Sequence, residues 1–147
     1  MQTKHSNVPA SYLVLIKEGK ILLLLRHNTG YEDGKYSFIA GHVEKGESFT
    51  KAVIREAYEE AGIIVQEKDL QVAHIMHRKS KDSERVDVFF TSDKWEGALK
   101  NKEPEKCKEL AWHDLHNLPK NVIPYIQKVI DHLKENIHYS ELGWNEA

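Results

Sequence analysis

Cysteine is nearly absent from this sequence: Cys107 is the single one among 147 residues. One thiol excludes an intrachain disulfide and a Cys-rich zinc site, and it reads as a simple thiol in a reducing compartment. Long apolar runs are missing too. Ile21–Leu25, "ILLLL", shows how short they are, against the roughly 20 residues a membrane span needs. The opening "MQTKHSNVPA" lacks the charged and apolar regions of a signal peptide, so cytoplasmic residence is expected and no membrane partner. Charge of one sign is also lacking: 21 Lys and Arg stand against 23 Asp and Glu, net −2. There is therefore no overall basic field for a nucleic acid polymer or an anionic membrane, although a nucleotide-sized ligand needs only a local site. There is no internal repeat, no low-complexity segment and no domain boundary. With 40% hydrophobic and 30% charged residues, the chain reads as one globular domain, 1–147.

What is present mixes strands with fewer helices. "SYLVLIKEGKILLLLRH" predicts two strands around a turn at Glu18-Gly19, the second buried on both faces. "NTGYEDGK" is a loop, and "YSFIA" a short strand running into Gly41. "LQVAHIMHR" and "ERVDVFFTS" predict two further strands joined by the charged turn "KSKDS", and "HRKSKDSER" as a whole reads as a solvated hairpin turn. "EGALKNKEPEKCKE" is a polar loop, "LAWHD" a short strand and "NVIPYIQKVIDHLKE" a closing helix. This order predicts an α/β (α+β) fold, a sheet with helices packed on it.

The clearest helix is "SFTKAVIREAYEEAG", with Ser48 suited to cap its start and Gly62 its left-handed end. Ile54, Ala57 and Ala61 form its apolar stripe. At about 100° per residue, Glu56, Glu59 and Glu60 fall on a separate arc beside Phe49 and Ala52. Three carboxylates on one face repel one another, and two of them lie in the last turn, at the negative end of the helix dipole. A bound dication would offset both costs. An all-oxygen, strongly negative site suits Mg2+, with Mn2+ possible, rather than zinc. Arg55 lies beside this arc, where it can pair with Glu47 or orient Glu56.

Gly41, Glu47, Arg55, Glu56, Ala57, Glu59, Glu60, Gly62 and Ile63 resemble the signature of the Nudix hydrolases, G-x5-E-x7-R-E-U-x-E-E-x-G-U with U a bulky apolar residue. The one departure is Ala57, which affects packing and leaves the carboxylates untouched. The resemblance implies a Nudix fold, a mixed β-sheet sandwiched between α-helices, and Mg2+-dependent hydrolysis of a nucleoside diphosphate linked to another group. It implies metal ligation by Glu56, Glu59, Glu60 and the carbonyl of Ala40. It places Glu47 behind Arg55, makes Glu44 an outer carboxylate and makes Glu56 the first choice for the base that takes the proton from water.

Outside the signature, Arg26 stands where MutT-like members carry an arginine near the substrate phosphates, or is a strand-end surface charge. Glu103, with Glu105 as competitor, stands where some members bring a further loop carboxylate, or belongs to a solvated charge run. Asn121 resembles a base-contacting residue by position, or is a helix cap. MutT-like size and the placement of Arg26 favour a (deoxy)nucleoside triphosphate cut to the monophosphate and pyrophosphate. ADP-ribose, a nucleotide sugar or a dinucleoside polyphosphate is the alternative, and a non-catalytic nucleotide sensor a further one. His74 and His77, three apart on a strand, point to opposite faces and cannot chelate one ion together. His42 sits at a variable signature position within reach of a ligand. Tyr31, Tyr36 and Phe38 read as core or as base-stacking rings. "HYSELGW" is expected to pack back on the domain or across a dimer, and the chain to be a monomer or homodimer.

Overall fold

The computed structural model describes residues 4–144. Strand β1 (Val8–Val14) leads into a hairpin of β2 (Ile16–Lys17) and β3 (Lys20–Arg26). Its turn residues Glu18 and Gly19 both have positive φ, 53° and 76°, which matches the right-handed strand twist that two-residue hairpins require. Then follow β4 (Tyr36–Ser37), β5 (Ile39–His42), helix α1 (Phe49–Ala61), a 3₁₀ turn (Glu67–Asp69), β6 (Leu70–Lys79), β7 (Glu84–Ser92), β8 (Cys107–Asp114), helix α2 (Pro124–Lys134) and β9 (Tyr139–Leu142).

The strands form two sheets. The larger is mixed and runs β5-β1-β7-β6-β9, with β1 parallel to β7 and β9 parallel to β6. In the smaller, β3 pairs with β8 along one edge and with β2 and β4 along the other. Alternation along β1 and β3 sorts the core. Tyr12, Val14, Ile21 and Leu23 face α2, while Leu13, Leu15, Leu22 and Leu24 face α1. Ile21 to Leu24 are all buried, as expected of a strand covered on both sides. The result is a sheet layer between two helices.

Three segments differ from the sequence reading. "YSFIA" is two strands rather than one: Tyr36 pairs with Leu25 in the smaller sheet, whereas Ile39 pairs with Leu13 in the larger. Cys107 to Glu109, read as loop, opens β8 against β3. The C-terminal "HYSELGW" packs back on its own domain: β9 adds a parallel strand to β6, and the Trp144 indole donates to the His77 carbonyl at 2.9 Å.

His74 anchors that return. Its Nδ1 lies 2.8 Å from the Ile137 carbonyl and its Nε2 2.8 Å from Ser140 Oγ. Burial holds its pKa below the ordinary 6.5, with the nearby His132 and His138 acting in the same direction. The unfolded imidazole therefore takes its proton at a higher pH than the folded one. Stability is full above about 6.5 and falls as pH drops through the folded value. Urea titrations at pH 7.5 and 5 are expected to show a larger loss for the parent than for His74→Gln, which keeps a hydrogen-bonding group without the charge. Equal losses would contradict this account of the anchor.

Candidate active site

The start of α1 is set by Ser48, whose Oγ accepts the Lys51 N–H at 3.1 Å. Buried Ser11 ties the first turn to β1 by donating to the Phe49 carbonyl at 2.8 Å. Gly62 ends the helix with φ 69°. The carbonyls of Glu60 and Ala61 accept N–H groups from Lys102 and Lys100, at 3.1 and 3.0 Å. These bonds satisfy helix-end acceptors, and they also seat the loop that carries Glu103 over the acidic arc. Asn101 pins that loop, donating to the Cys107 carbonyl at 2.6 Å and accepting the Glu103 N–H at 3.1 Å.

Arg55 organises the carboxylates. Its Nε and Nη2 form a fork onto Glu47, at 2.8 and 3.0 Å. Its Nη1 donates to Glu56 at 2.6 Å and to Glu59 at 3.3 Å, and Nη2 also reaches the His42 carbonyl at 3.2 Å. The bonds from Arg55 hold the Glu47 carboxyl at about 2, against an ordinary 4.5. Glu60 is the opposite case. Burial, then the hydrogen bond and charge of Glu56, push its pKa well up, against a hydrogen bond from the Ala40 backbone, and Glu103 adds to the rise.

Gly41 is required by close approach. A Cβ there would overlap the Glu56 carboxylate. Gly41→Ala is expected to lower turnover by about tenfold or more by displacing Glu56, with the circular dichroism spectrum unchanged. Unaltered turnover would show that the position of Glu56 is unimportant.

These groups line a cleft of about 360 Å³ that includes Arg26, Ala40, Gly41, Glu56, Glu59, Glu60 and Glu103. Among the described residues, no three acidic, His or Cys side chains are gathered into a closed ligand set. Glu59 is half exposed and turned to Arg55, so the carboxylates form an open rim. A second cavity of about 400 Å³ shares Arg26, Ala40 and Gly41 with the first, and is lined further by Tyr12, Tyr31, His42, Arg78, Arg85 and Tyr125.

Arg26 thus stands between the cavities, its Nε donating to the Tyr31 carbonyl at 2.7 Å and its Nη2 to Thr29 Oγ1 at 3.0 Å. Glu103 joins the acidic group, while Glu105 lies outside it. Desolvation leads the causes that raise the Glu103 pKa, with Glu56, Glu105 and Glu59 adding to the rise and Lys106 opposing it. Asn121 lines neither cavity. It does not cap α2, whose cap position is Ile123; instead its side chain donates to the Gly34 carbonyl at 2.8 Å and fastens the loop before β4.

Arg78 and Arg85 close the two predicted strands, but as part of "HRKSKDSER" they were expected to be solvated and were not expected at the site. Both are strand residues as expected, but Arg78 is 8% exposed and both line the second cavity. One signal was available: Asp87 sits amid "RVDVFF", and a carboxylate buried there needs a cation. Arg78 supplies it at 2.8 Å.

A helix end rich in carboxylates, facing a cleft flanked by arginines, is suited to the hydrolysis of phosphoanhydrides. The NUDIX domain family model matches residues 6–133; the chain belongs to the Nudix family and is a pyrophosphohydrolase. It is 31% identical over 121 residues to an ADP-ribose pyrophosphatase of Methanocaldococcus jannaschii, covering 82% of this chain and 70% of that protein. It is 30% identical over 118 residues to an NAD-capped RNA hydrolase NudC of Chromobacterium violaceum, covering 80% of this chain but only 42% of the relative. The fold is shared with a MutT NUDIX hydrolase structure from Burkholderia pseudomallei at a TM-score of 0.78 and 21% identity, over 86% of this chain and 98% of that one.

Proposed function

We propose that the protein hydrolyses the diphosphate that links a nucleoside to a second group, as in ADP-ribose, with Mg2+ as cofactor and Mn2+ able to replace it. The observation that carries this reading is the meeting of two cavities at Arg26, Ala40 and Gly41. A diphosphate lying at that boundary leaves a separate seat for a sizeable group on one side.

The donor set fits the ion. Glu60 is enclosed beside Glu56 and Glu103, an all-oxygen arrangement whose repulsion a hard dication offsets. Glu56, Glu59, Glu60 and the Ala40 carbonyl would hold it. When bound, such an ion neutralises phosphate charge and makes water a better nucleophile. The chain's own groups do the rest. Arg55, fixed by Glu47, holds Glu56 in place, and Glu44 stands 3.8 Å from Arg55 at the rim. Arg26 contributes a guanidinium to the phosphates. Glu56 and Glu103 are the two candidates for the base. Glu56 is clamped by Arg55, whereas desolvation and acidic neighbours bring Glu103 closer to the pH at which a base works well.

A triphosphate cut to monophosphate and pyrophosphate is the second reading. It is supported by 28% identity over 110 residues to an oxidized purine nucleoside triphosphate hydrolase of Danio rerio. A nucleotide panel with Mg2+ and Mn2+, its products separated by chromatography, distinguishes the two. AMP and a sugar phosphate from ADP-ribose are expected. Pyrophosphate released from triphosphates alone would favour the second reading, and turnover of nothing would favour a sensor.

A further inference from the structure

The second cavity is charged in a way that a neutral nucleoside does not need. Among the described residues it is lined by Arg26, Arg78 and Arg85 and by no carboxylate, whereas the adjoining cleft carries five glutamates. Arg26 is occupied by the loop, as described. Arg78 is rigid: its Nε donates to buried Asp87 at 2.8 Å, and its guanidinium lies 3.7 Å from the centre of the Tyr125 ring. Asp87 is fixed in turn by the Tyr12 hydroxyl at 3.2 Å. Among the described residues Arg78 donates no other side-chain hydrogen bond, so its Nη groups remain for the cavity that it lines.

Arg85 differs from the other arginines of the site. Arg55 has four carboxylates around it and Arg78 has one. Among the described residues Arg85 has no carboxylate partner; its Nη2 donates to His42 Nε2 at 2.7 Å, and its Nε is buried without a hydrogen bond. A guanidinium is always charged, and holding one half-buried without an anion is unfavourable. A purely structural arginine would be served by a carboxylate, as Arg78 is. An anion brought by a ligand would supply what is missing, and two guanidinium forks beside one cavity suit a phosphate. His42 joins this seat to the reactive helix: its ring takes the Arg85 bond and its carbonyl takes the Arg55 bond.

We propose that this cavity holds a phosphate monoester which the substrate carries in addition to its scissile diphosphate, with Arg85 and Arg78 as the residues that select it. This rests on reading the chain as a diphosphate hydrolase.

Two matched pairs test it: NADPH against NADH, and coenzyme A against dephospho-coenzyme A. The members of each pair differ by one phosphate on the adenosine ribose. Binding is measured by calorimetry with Ca2+ in place of Mg2+, so that affinity is read apart from turnover. The phosphorylated member of at least one pair is expected to bind the parent tenfold or more tightly than its partner. Arg85→Ala should abolish that preference, weakening the phosphorylated member tenfold or more and its partner by much less. Arg85→Gln, which keeps length and polarity, should do the same if the alanine variant folds poorly, and Arg85→Lys should retain part of the preference. Equal affinities within both pairs, equal weakening of both members by Arg85→Gln, or no binding by any of the four would overturn the proposal. Hydrolysis of the same compounds with Mg2+ is scored separately. A phosphate preference without turnover would count against the hydrolase reading and leave the seat standing.

Discussion

Glu60→Gln is expected to lower hydrolysis by on the order of a hundredfold or more and, without metal, to make the protein more stable. The two effects have one cause. The Glu60 carboxyl is enclosed with Glu56 and Glu103 as acidic neighbours, so the metal-free fold carries repulsion and a desolvation cost. Glutamine has the same shape, can accept the Ala40 N–H and can donate to Glu56, but brings no charge. A gain of about 1 kcal/mol, roughly 3 °C in melting temperature, is a reasonable scale. A carboxylate kept for structure would behave in the opposite way, since its removal would destabilise the fold. A variant that is both less stable without metal and fully active would refute this role for Glu60.

Arg55→Lys should also be severe, although the charge is kept. A lysine is a point donor and cannot make the fork onto Glu47 while reaching Glu56. With four carboxylates within 4.0 Å of the guanidinium, the expected loss is about 10- to 100-fold in kcat. Stability should fall by about 1–3 kcal/mol, below the cost of breaking a fully buried pair because Arg55 remains 24% exposed. The same cluster has a pH signature. Glu47 has a folded pKa of about 2 against an ordinary 4.5. Its contribution is complete above 4.5 and is lost as pH falls toward 2. Urea midpoints between pH 5 and 2.5 should therefore fall more steeply for the parent than for Glu47→Gln. Parallel curves would show that the fork adds nothing to the fold.

The helix and the gathering of its carboxylates were legible in the sequence because they rest on local rules. Ser48 and Gly62 mark the ends of α1 by capping, and the spacing of Glu56, Glu59 and Glu60 fixes their shared arc. The two-faced burial of β3 was legible because Ile21 to Leu24 leave no polar face. The placement of Glu103 was only half visible. Its loop is held by backbone bonds from Lys100 and Lys102 to the end of α1, and backbone donors have no sequence identity. Arg78 and Arg85 were hidden by their neighbours. Ser80 to Ser83 form the turn between them, and the face of this hairpin that turns inward is set by the parallel pairing of β7 with β1, distant in sequence. The split of "YSFIA" between two sheets has the same origin, since nothing local distinguishes a strand that changes partners at Phe38. Asn121 misled because an asparagine shortly before a helix resembles a cap, whereas the helix starts later at Pro124 and the side chain serves Gly34.

Binding of a divalent ion by the carboxylates at the end of α1 is the proposal on which the other expectations depend. It is tested most directly by titrating the protein with Mn2+ and following the free ion by electron paramagnetic resonance, in the parent and in a Glu59→Gln, Glu60→Gln variant. This measurement needs no knowledge of the substrate. The parent is expected to remove Mn2+ from solution at near-stoichiometric protein, and the variant to leave it free. Equal uptake by both proteins, or none by the parent, would contradict it.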